Sequence, residues 1–102
     1  MGPQKRYLKT KNLSKVTFSL PPEAARDAQA VSLVGDFNGW DAEATPMSRL
    51  KTGGFKVTLD LEPGREYEYR YLIDGQIWEN DWAADQYRPA GIPGAENSVV
   101  AV

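Results

Sequence analysis

The sequence predicts an all-β domain, a β-sandwich of about seven strands. Short segments alternate apolar and polar residues with a period of two, turn residues separate them at roughly even spacing, and no segment sustains a helical period. Such a pattern over about 100 residues is typical of a sandwich. The chain has 102 residues, enough for one core and not for two.

The first predicted strand covers residues 15–20, where apolar and polar residues alternate until Pro21-Pro22 ends the strand. Residues 23–29 fit either a short helical turn or a loop, since the segment is too short to form a stable helix alone. Residues 30–34 read as the second strand. Residues 35–53 are predicted as loop, with Pro and Gly as punctuation.

The second half of the chain contains the clearest alternation. Residues 55–61 place Phe, Val and Leu on one face, and residues 67–73 do the same with three tyrosines and an isoleucine. We expect the tyrosines to be core, because period-two aromatics opposite charged residues usually face inward. Asp74-Gly75 is a strong hairpin signal, after which the chain returns through residues 77–78. Residues 79–95 appear irregular, and a β-branched strand over 98–102 closes the domain.

Charge divides the chain unevenly. Five of the twelve basic residues lie in the first fifteen positions, which hold no acid, so the remaining chain carries seven basic and fourteen acidic residues. We expect residues 1–14 to be a flexible basic lead-in, either a solvated tail or a docking arm for an acidic partner, and residues 15–102 to be the domain. An acidic domain repels phosphate backbones, so nucleic acid is not an expected partner.

Composition excludes several chemistries. With no cysteine and no histidine, the chain offers no disulfide, no thiolate or imidazole metal ligand, and no Ser-His or Cys-His nucleophile. We therefore expect no metal, no cofactor and no catalytic residue. No apolar run approaches the ~20 residues of a membrane span and no signal-peptide core follows the basic start. A cytoplasmic protein with no membrane partner is expected.

Trp40 is the first candidate binding residue. It lies in the segment 35–41, Gly-Asp-Phe-Asn-Gly-Trp-Asp, at the tip of a turn directly after a predicted strand. An exposed indole offers a flat, rigid, apolar face with one polar edge, which suits a sugar ring. The alternative is a core tryptophan, but Phe37 is the better core candidate because it follows the strand closely and has no polar group.

Four motifs in order resemble carbohydrate-binding module family 48, the glycogen-binding or isoamylase N-terminal (early-set) domain. They are Val34–Trp40, Leu59–Gly64, Tyr69–Gly75 and Asn97–Val100, and the resemblance covers about residues 15–102. It implies an immunoglobulin-like β-sandwich that binds α-1,4-glucans such as glycogen, starch and maltooligosaccharides. Members occur in isoamylases, branching enzymes and the β subunit of the AMP-activated kinase, and in bacteria as short proteins on their own. This chain looks like the last kind.

The resemblance also implies site residues. Trp40 matches the tryptophan that stacks on glucose, Arg70 falls where members often carry a hydroxyl-binding lysine, and Asn97 matches an asparagine that contacts the glucan. From the residues alone, Arg70 reads equally as a solvated charge and Asn97 as a turn cap. Two positions depart from the well-studied animal pattern: Pro93 replaces a leucine that supports the sugar ring, and Ala95 replaces a threonine hydroxyl.

The role of Trp78 depends on one residue of register. A two-residue turn would pair Tyr71 with Trp78 and bury the indole, whereas a three-residue loop would pair Leu72 with Trp78 and expose it beside Arg70. Because the family carries a second stacking tryptophan just past this turn, we expect the longer loop, with Ile77 buried and Trp78 outside. Trp82 matches no family contact, and we expect burial or edge packing for it.

The predicted function is therefore non-catalytic binding of an α-1,4-glucan through Trp40, Arg70, Trp78 and Asn97. Glycoside hydrolysis needs two carboxylates in a deep, partly dry cleft, which a small sandwich with its acids on strands and loops does not favour. Kinship with isoamylase-type glycoside hydrolases would reflect domain ancestry. A glycogen-metabolising enzyme is a candidate partner. The alternative function is a protein-interaction or structural module that kept the fold and lost sugar binding.

Overall fold

In the computed structural model, which describes residues 2–102, two antiparallel β-sheets face each other across one hydrophobic core. The predicted all-β sandwich is confirmed, with nine strands in the described residues where about seven were expected. The strands are β1 (Gln4–Leu8), β2 (Leu13–Leu20), β3 (Val31–Gly35), β4 (Ser48–Arg49), β5 (Phe55–Leu61), β6 (Glu66–Ile73), β7 (Ile77–Glu79), β8 (Gln86–Pro89) and β9 (Glu96–Ala101), with the helix α1 (Pro22–Ala25) between β2 and β3.

One sheet has the strand order β1-β2-β5-β4 and the other β3-β6-β9-β8. The central strand of the second sheet is β6. It pairs with β3 on one side, while on the other side it pairs with β9 through Glu66–Tyr69 and with β7 through Tyr71–Ile73. β7 and β9 thus lie one after the other along the same side of β6. Outward-facing residues of β6, β7 and β9 therefore lie on one outer face of this sheet.

The tyrosine stripe of β6 faces the core, as predicted. Tyr67, Tyr69 and Tyr71 are all buried, and the Tyr69 ring meets Phe18 of the opposite sheet edge-on, with centroids 5.0 Å apart. Buried hydroxyls need partners, and the buried carboxylate of Asp81 accepts a hydrogen bond from Tyr69 at 2.7 Å and one from Tyr71 at 3.3 Å. Burial, together with the nearby Asp81 charge, raises the pKa values of Tyr69 and Tyr71 well above the usual value for tyrosine.

The structure corrects the expectation of a flexible lead-in over residues 1–14. Gln4–Leu8 form the edge strand β1, which pairs in full with β2, and β2 itself begins at Leu13. Met1 lies outside the described residues. The alternation rule missed β1 because its side chains are mostly exposed and polar, so backbone hydrogen bonds define the strand. An ion pair of 2.6 Å from Lys5 to Asp85 ties it to the other sheet.

Two shorter elements also differ from the expectation. Residues 86–89, within the segment predicted as irregular, form β8 at the edge of the second sheet, and residues 48–49 form the two-residue strand β4. Residues 22–25 form a single turn of helix, one of the two alternatives left open. In residues 2–102, no helix is both long and apolar enough to cross a membrane.

Candidate functional site

The loop after β3 is built by the side chain of Asn38. Its amide N–H donates to the Leu33 carbonyl at 2.9 Å, and its amide oxygen accepts the backbone N–H of Gly35 at 3.1 Å. Phe37, in the same 3₁₀ turn, is partly buried and packs against the core, with its ring 5.4 Å from that of Phe18, so of the two aromatic residues of this loop it is Phe37 that faces the core. The loop is thus closed from within, and it projects Trp40 outward.

Trp40 stands on the outer face of the second sheet with 37% of its surface exposed. Its backbone is in the left-handed region, with a φ of +59°, which is rare for an aromatic residue. The indole N–H donates to one carboxylate oxygen of Asp36 at 2.9 Å, and the other oxygen accepts the backbone N–H of Glu68 at 2.8 Å. Asp36 therefore fixes the ring to β6 and leaves its flat face in solvent.

Trp78 takes the register of the longer loop. Ile73 pairs with Ile77, and Leu72 with Trp78, across the loop Asp74–Gln76, as expected. The indole is 47% exposed and lies beside Arg70, whose guanidinium carbon is 5.7 Å from the ring centroid.

The expectation that this register buries Ile77 is wrong, because that side chain is also exposed. Ile77 points to the core side but lies at the hairpin end of a three-residue edge strand. Strand alternation decides the direction of a side chain, and it does not decide whether another layer covers it.

Arg70 and Asn97 lie side by side on adjacent strands. The Nε–H of Arg70 donates to the amide oxygen of Asn97 at 2.7 Å, and the amide N–H of Asn97 donates to Glu68 at 3.0 Å. Arg88 of β8 forms an ion pair with Glu66 and approaches Glu68 to 3.9 Å. Asn97 lies within β9 and therefore caps no turn, and only 8% of its surface is exposed. Its position makes it the link that orients Arg70.

The face is a shallow surface with two adjoining depressions. One, of about 330 Å³, is lined by Asp36, Trp40, Glu68, Arg70, Ala90 and Asn97. The other, of about 220 Å³, lies between Trp40, Arg70, Trp78 and Ile92. Two indoles and one apolar side chain thus surround a guanidinium. Such a surface can stack on flat apolar faces while donating hydrogen bonds to oxygens at their rims.

The structure brings all four sequence-predicted residues together on this face, three of them solvent-accessible and Asn97 nearly buried beside Arg70. It also adds three residues that the sequence analysis did not select: Asp36, Glu68 and Ile92. The signal for Asp36 was present, because a carboxylate four residues before an exposed tryptophan can accept its indole N–H. No sequence signal identified Ile92, which depends on the path of the loop after β8.

Of the two alternatives expected for Trp82, burial or edge packing, burial is wrong. It is 57% exposed in the segment that joins β7 to β8 and lines neither depression of the sheet face. Alternation arguments do not apply in this segment, because the chain crosses from one strand to another without regular pairing.

Comparison with known proteins places the chain among carbohydrate-binding modules. The family described as carbohydrate-binding module 48 (isoamylase N-terminal domain) matches residues 7–88. The chain is 34% identical over 98 residues to the 1,4-alpha-glucan branching enzyme GlgB 2 of Xanthomonas campestris, covering 94% of this chain and 13% of that protein. It is 37% identical over 78 residues to the branching enzyme GlgB of Myxococcus xanthus, covering 74% and 11%.

The chain thus spans about an eighth of the length of the curated relatives it matches. Among solved structures, a ferric enterobactin esterase from Salmonella typhimurium superposes with a TM-score of 0.75 over 99% of this chain and 34% of the esterase. With 12% sequence identity, that likeness shows a shared fold alone.

Proposed function

The chain belongs to the carbohydrate-binding module 48 (isoamylase N-terminal domain) family, and we propose that its sheet face binds α-1,4-glucan without catalysing a reaction. The sheet face denotes Trp40, Arg70, Trp78 and Ile92 with the supporting Asn97. One observation carries the proposal: two exposed indoles flank a guanidinium on the same face of one sheet. The sheet face lies on the outer surface of β6 and of the strands and loops next to it.

The chemistry of the face matches that of a glucose unit. Its C–H face is apolar and stacks on an indole, while its hydroxyls lie around the rim and need hydrogen-bond partners. In the part of the chain that the structure describes, the terminal nitrogens of Arg70 have no hydrogen-bond partner, since only the Nε–H is taken by Asn97. These nitrogens are therefore available to the hydroxyls of a sugar stacked on Trp40 or Trp78.

Ile92 supplies an apolar group that the sequence comparison did not predict. Pro93 stands where related modules carry a supporting leucine, but the exposed side chain of Ile92 next to it lines the depression with both indoles. Ala95 offers no hydroxyl, so one hydrogen bond of the animal pattern is missing. We therefore propose an intact stacking surface with fewer polar contacts and modest affinity.

The acids of the face support binding rather than catalysis. Asp36 holds the Trp40 indole and a backbone N–H, and Glu68 holds Asn97 near Arg88. A general acid for glycoside hydrolysis needs a pKa raised by a dry, apolar cleft. These carboxylates instead lie in a shallow, open depression and have hydrogen-bond donors. We also propose, from the names of the relatives alone, that a glycogen-metabolising enzyme is the functional partner.

Calorimetric titration with short oligosaccharides tests the proposal. Maltoheptaose should bind saturably with a dissociation constant of about 0.1–1 mM, as expected for a shallow site that leaves much of the ligand hydrated. Cellohexaose and isomaltoheptaose are matched controls, because their β-1,4 and α-1,6 linkages orient successive rings differently. They should bind at least several-fold more weakly.

The alternative function, a protein-interaction module that has lost sugar binding, predicts a different result. In that case no oligosaccharide would give a saturable signal, although the protein would be folded. Equal binding of all three oligosaccharides would retain sugar binding and contradict the selectivity for α-1,4 linkages.

A further inference from the structure

Trp82 forms a second exposed aromatic surface away from the sheet face. Its indole N–H donates to the carboxylate of Glu79 at 3.2 Å, which fixes the ring while 57% of the residue stays in solvent. Trp40 is held in the same way by Asp36 at 2.9 Å. Both tryptophans therefore expose a flat face and have their single donor satisfied by a neighbouring carboxylate.

A guanidinium also accompanies Trp82. Arg26 ends α1 and has a left-handed backbone conformation. Its guanidinium lies 3.6 Å from one oxygen of the same Glu79 carboxylate, and the other oxygen accepts the indole N–H. Its side chain is 64% exposed. Arg26 and the Trp82 indole are thus linked through the two oxygens of one carboxylate, whereas Arg70 lies directly over the Trp78 ring.

Trp82 borders a depression of about 340 Å³ at the edge of the sandwich. Gly2 and Gln4 line it from the N-terminal segment, Ser19 from β2 and Pro21 from just after β2, and Asp81 and Ala83 from either side of Trp82 along the chain. None of these residues lines the depressions of the sheet face. The surface combines apolar groups with amide and hydroxyl groups, a composition that suits a sugar ring.

The backbone that carries Trp82 is anchored at Asp81. The buried Asp81 carboxylate accepts the hydroxyls of Tyr69 and Tyr71 and the N–H of Ala83, and its carbonyl accepts the hydroxyl of Tyr87 at 2.5 Å. Exposure of the ring is therefore a property of an anchored segment and not of a loose loop. An indole held in this way presents a flat, apolar face in a fixed position.

We propose that Trp82, Arg26 and the adjoining depression form a second binding site for α-1,4-glucan, the edge site, in addition to the sheet face. This inference rests on the proposed function. Two sites on one module bind separate chains of a branched polymer at once, so the second contact is made at high effective concentration. Removal of Trp82 should lower the apparent affinity for glycogen by on the order of tenfold, while the sheet face keeps its affinity for maltoheptaose.

The three indole N–H signals in a ¹H–¹⁵N correlation spectrum test the edge site directly, since the chain has three tryptophans. Single Trp→Phe variants assign the signals, and maltoheptaose is the ligand. We expect the Trp82 signal to shift with its own titration midpoint. It should shift in the same way in Trp40→Ala/Trp78→Ala, which removes the aromatic surface of the sheet face.

Glycogen affinity of Trp82→Ala is the second measurement, with Tyr7→Ala as the matched control. Tyr7 is an aromatic residue of similar exposure on the edge strand β1, and its loss should leave glycogen affinity unchanged. A Trp82 signal that stays fixed while those of Trp40 and Trp78 move would overturn the edge site and leave the proposed function standing. If no indole signal moves, both the function and the edge site are overturned.

Discussion

At the scale of single residues, Asn97 is a positioning residue whose effect passes through Arg70. It is nearly buried, accepts the Nε–H of Arg70 and donates to Glu68. A guanidinium held at Nε has fewer rotamers to lose when its other nitrogens bind a ligand. We therefore propose that the asparagine supports sugar binding through Arg70, without a large contact area of its own.

This role predicts a non-additive double-mutant cycle. Arg70→Ala should weaken maltoheptaose binding by about 1.5–3 kcal/mol, the value of a charged hydrogen bond. Asn97→Ala should weaken it less, and the double variant should bind no more weakly than Arg70→Ala, because Asn97 has nothing left to position. Calorimetric titration of the four proteins measures this. Additive losses would show that Asn97 contacts the glucan independently.

In the proposed site, Asp36 is a second positioning residue, which holds the Trp40 indole. Removing it tests whether the fixed orientation of that ring matters for binding in addition to its presence. Asp36→Ala leaves Trp40 in place but frees the indole N–H and the Glu68 backbone N–H. We expect lower maltoheptaose affinity and a loss of about 1–2 kcal/mol in the free energy of unfolding. Asp60→Ala is the matched control, because it removes a paired carboxylate from the other sheet. Unchanged affinity in Asp36→Ala would contradict the role.

At the scale of elements, the β6–β7 hairpin sets which face Trp78 occupies. Its loop holds Asp74 and Gly75 in the left-handed region, and the Asp74 carboxylate accepts the N–H groups of Gln29 and Ala30 just before β3. A slip of one residue would move Trp78 to the core face. The loop therefore determines the position of Trp78 on the sheet face, although none of its residues lines either depression.

A pair of glycine substitutions tests the hairpin. Gly75 and Gly64 have φ values of +69° and +79°, and an added Cβ would meet no atom within 4 Å at either position. Each Gly→Ala change should therefore cost about 1 kcal/mol through backbone strain alone. Only Gly75→Ala should also weaken maltoheptaose binding, since Gly64 lies in the β5–β6 turn. Equal binding by both variants would show that the Trp78 register tolerates the strain.

The edge strand β1 gives a pH-dependent prediction. Burial acts to raise the pKa of Asp85, but hydrogen bonds from Lys5 and the Ala101 N–H, with the Lys5 charge, lower it overall. A lowered pKa in the folded state means a stabilising contribution that is present above the unfolded value of about 3.9 and lost as pH falls through the folded value. Its size should be below about 1 kcal/mol, as for ion pairs near the surface.

Urea unfolding of wild type and Asp85→Asn at a series of pH values measures this contribution. The difference in unfolding free energy between the two proteins should be constant at neutral pH and shrink as pH falls below about 4. A difference that grows toward acidic pH would contradict the assignment of the Lys5–Asp85 pair.

At the scale of the whole molecule, strand alternation on β6 separates core from outer face: Tyr67, Tyr69 and Tyr71 face inward, and Arg70 faces outward. This division was predictable from sequence, because alternation determines side-chain direction. Trp40 and Ile92 of the sheet face lie on loops, where alternation gives no direction. The register of Trp78 was predictable only with the family resemblance, since both loop lengths were compatible with Asp-Gly.

The sequence could not predict whether a side chain is covered by another part of the molecule, as opposed to which face of the sheet it points to. Ile77 faces inward and is exposed, whereas Leu72 faces outward and is buried. The strand β1 has no alternation of apolar and polar residues, so the sequence gives no indication that its backbone pairs with β2. Trp82 lies where the chain crosses between strands, and its exposure depends on how Asp81 anchors that segment.

Glycogen affinity electrophoresis tests directly whether the sheet face binds α-1,4-glucan. In a native gel that contains glycogen, wild type and Tyr7→Ala should be strongly retarded relative to a glycogen-free gel, and Trp40→Ala/Trp78→Ala should lose most of that retardation. A dextran gel should leave all three unchanged. Free migration of wild type in glycogen, or retardation of the double variant equal to that of wild type, would show that the sheet face does not bind glycogen.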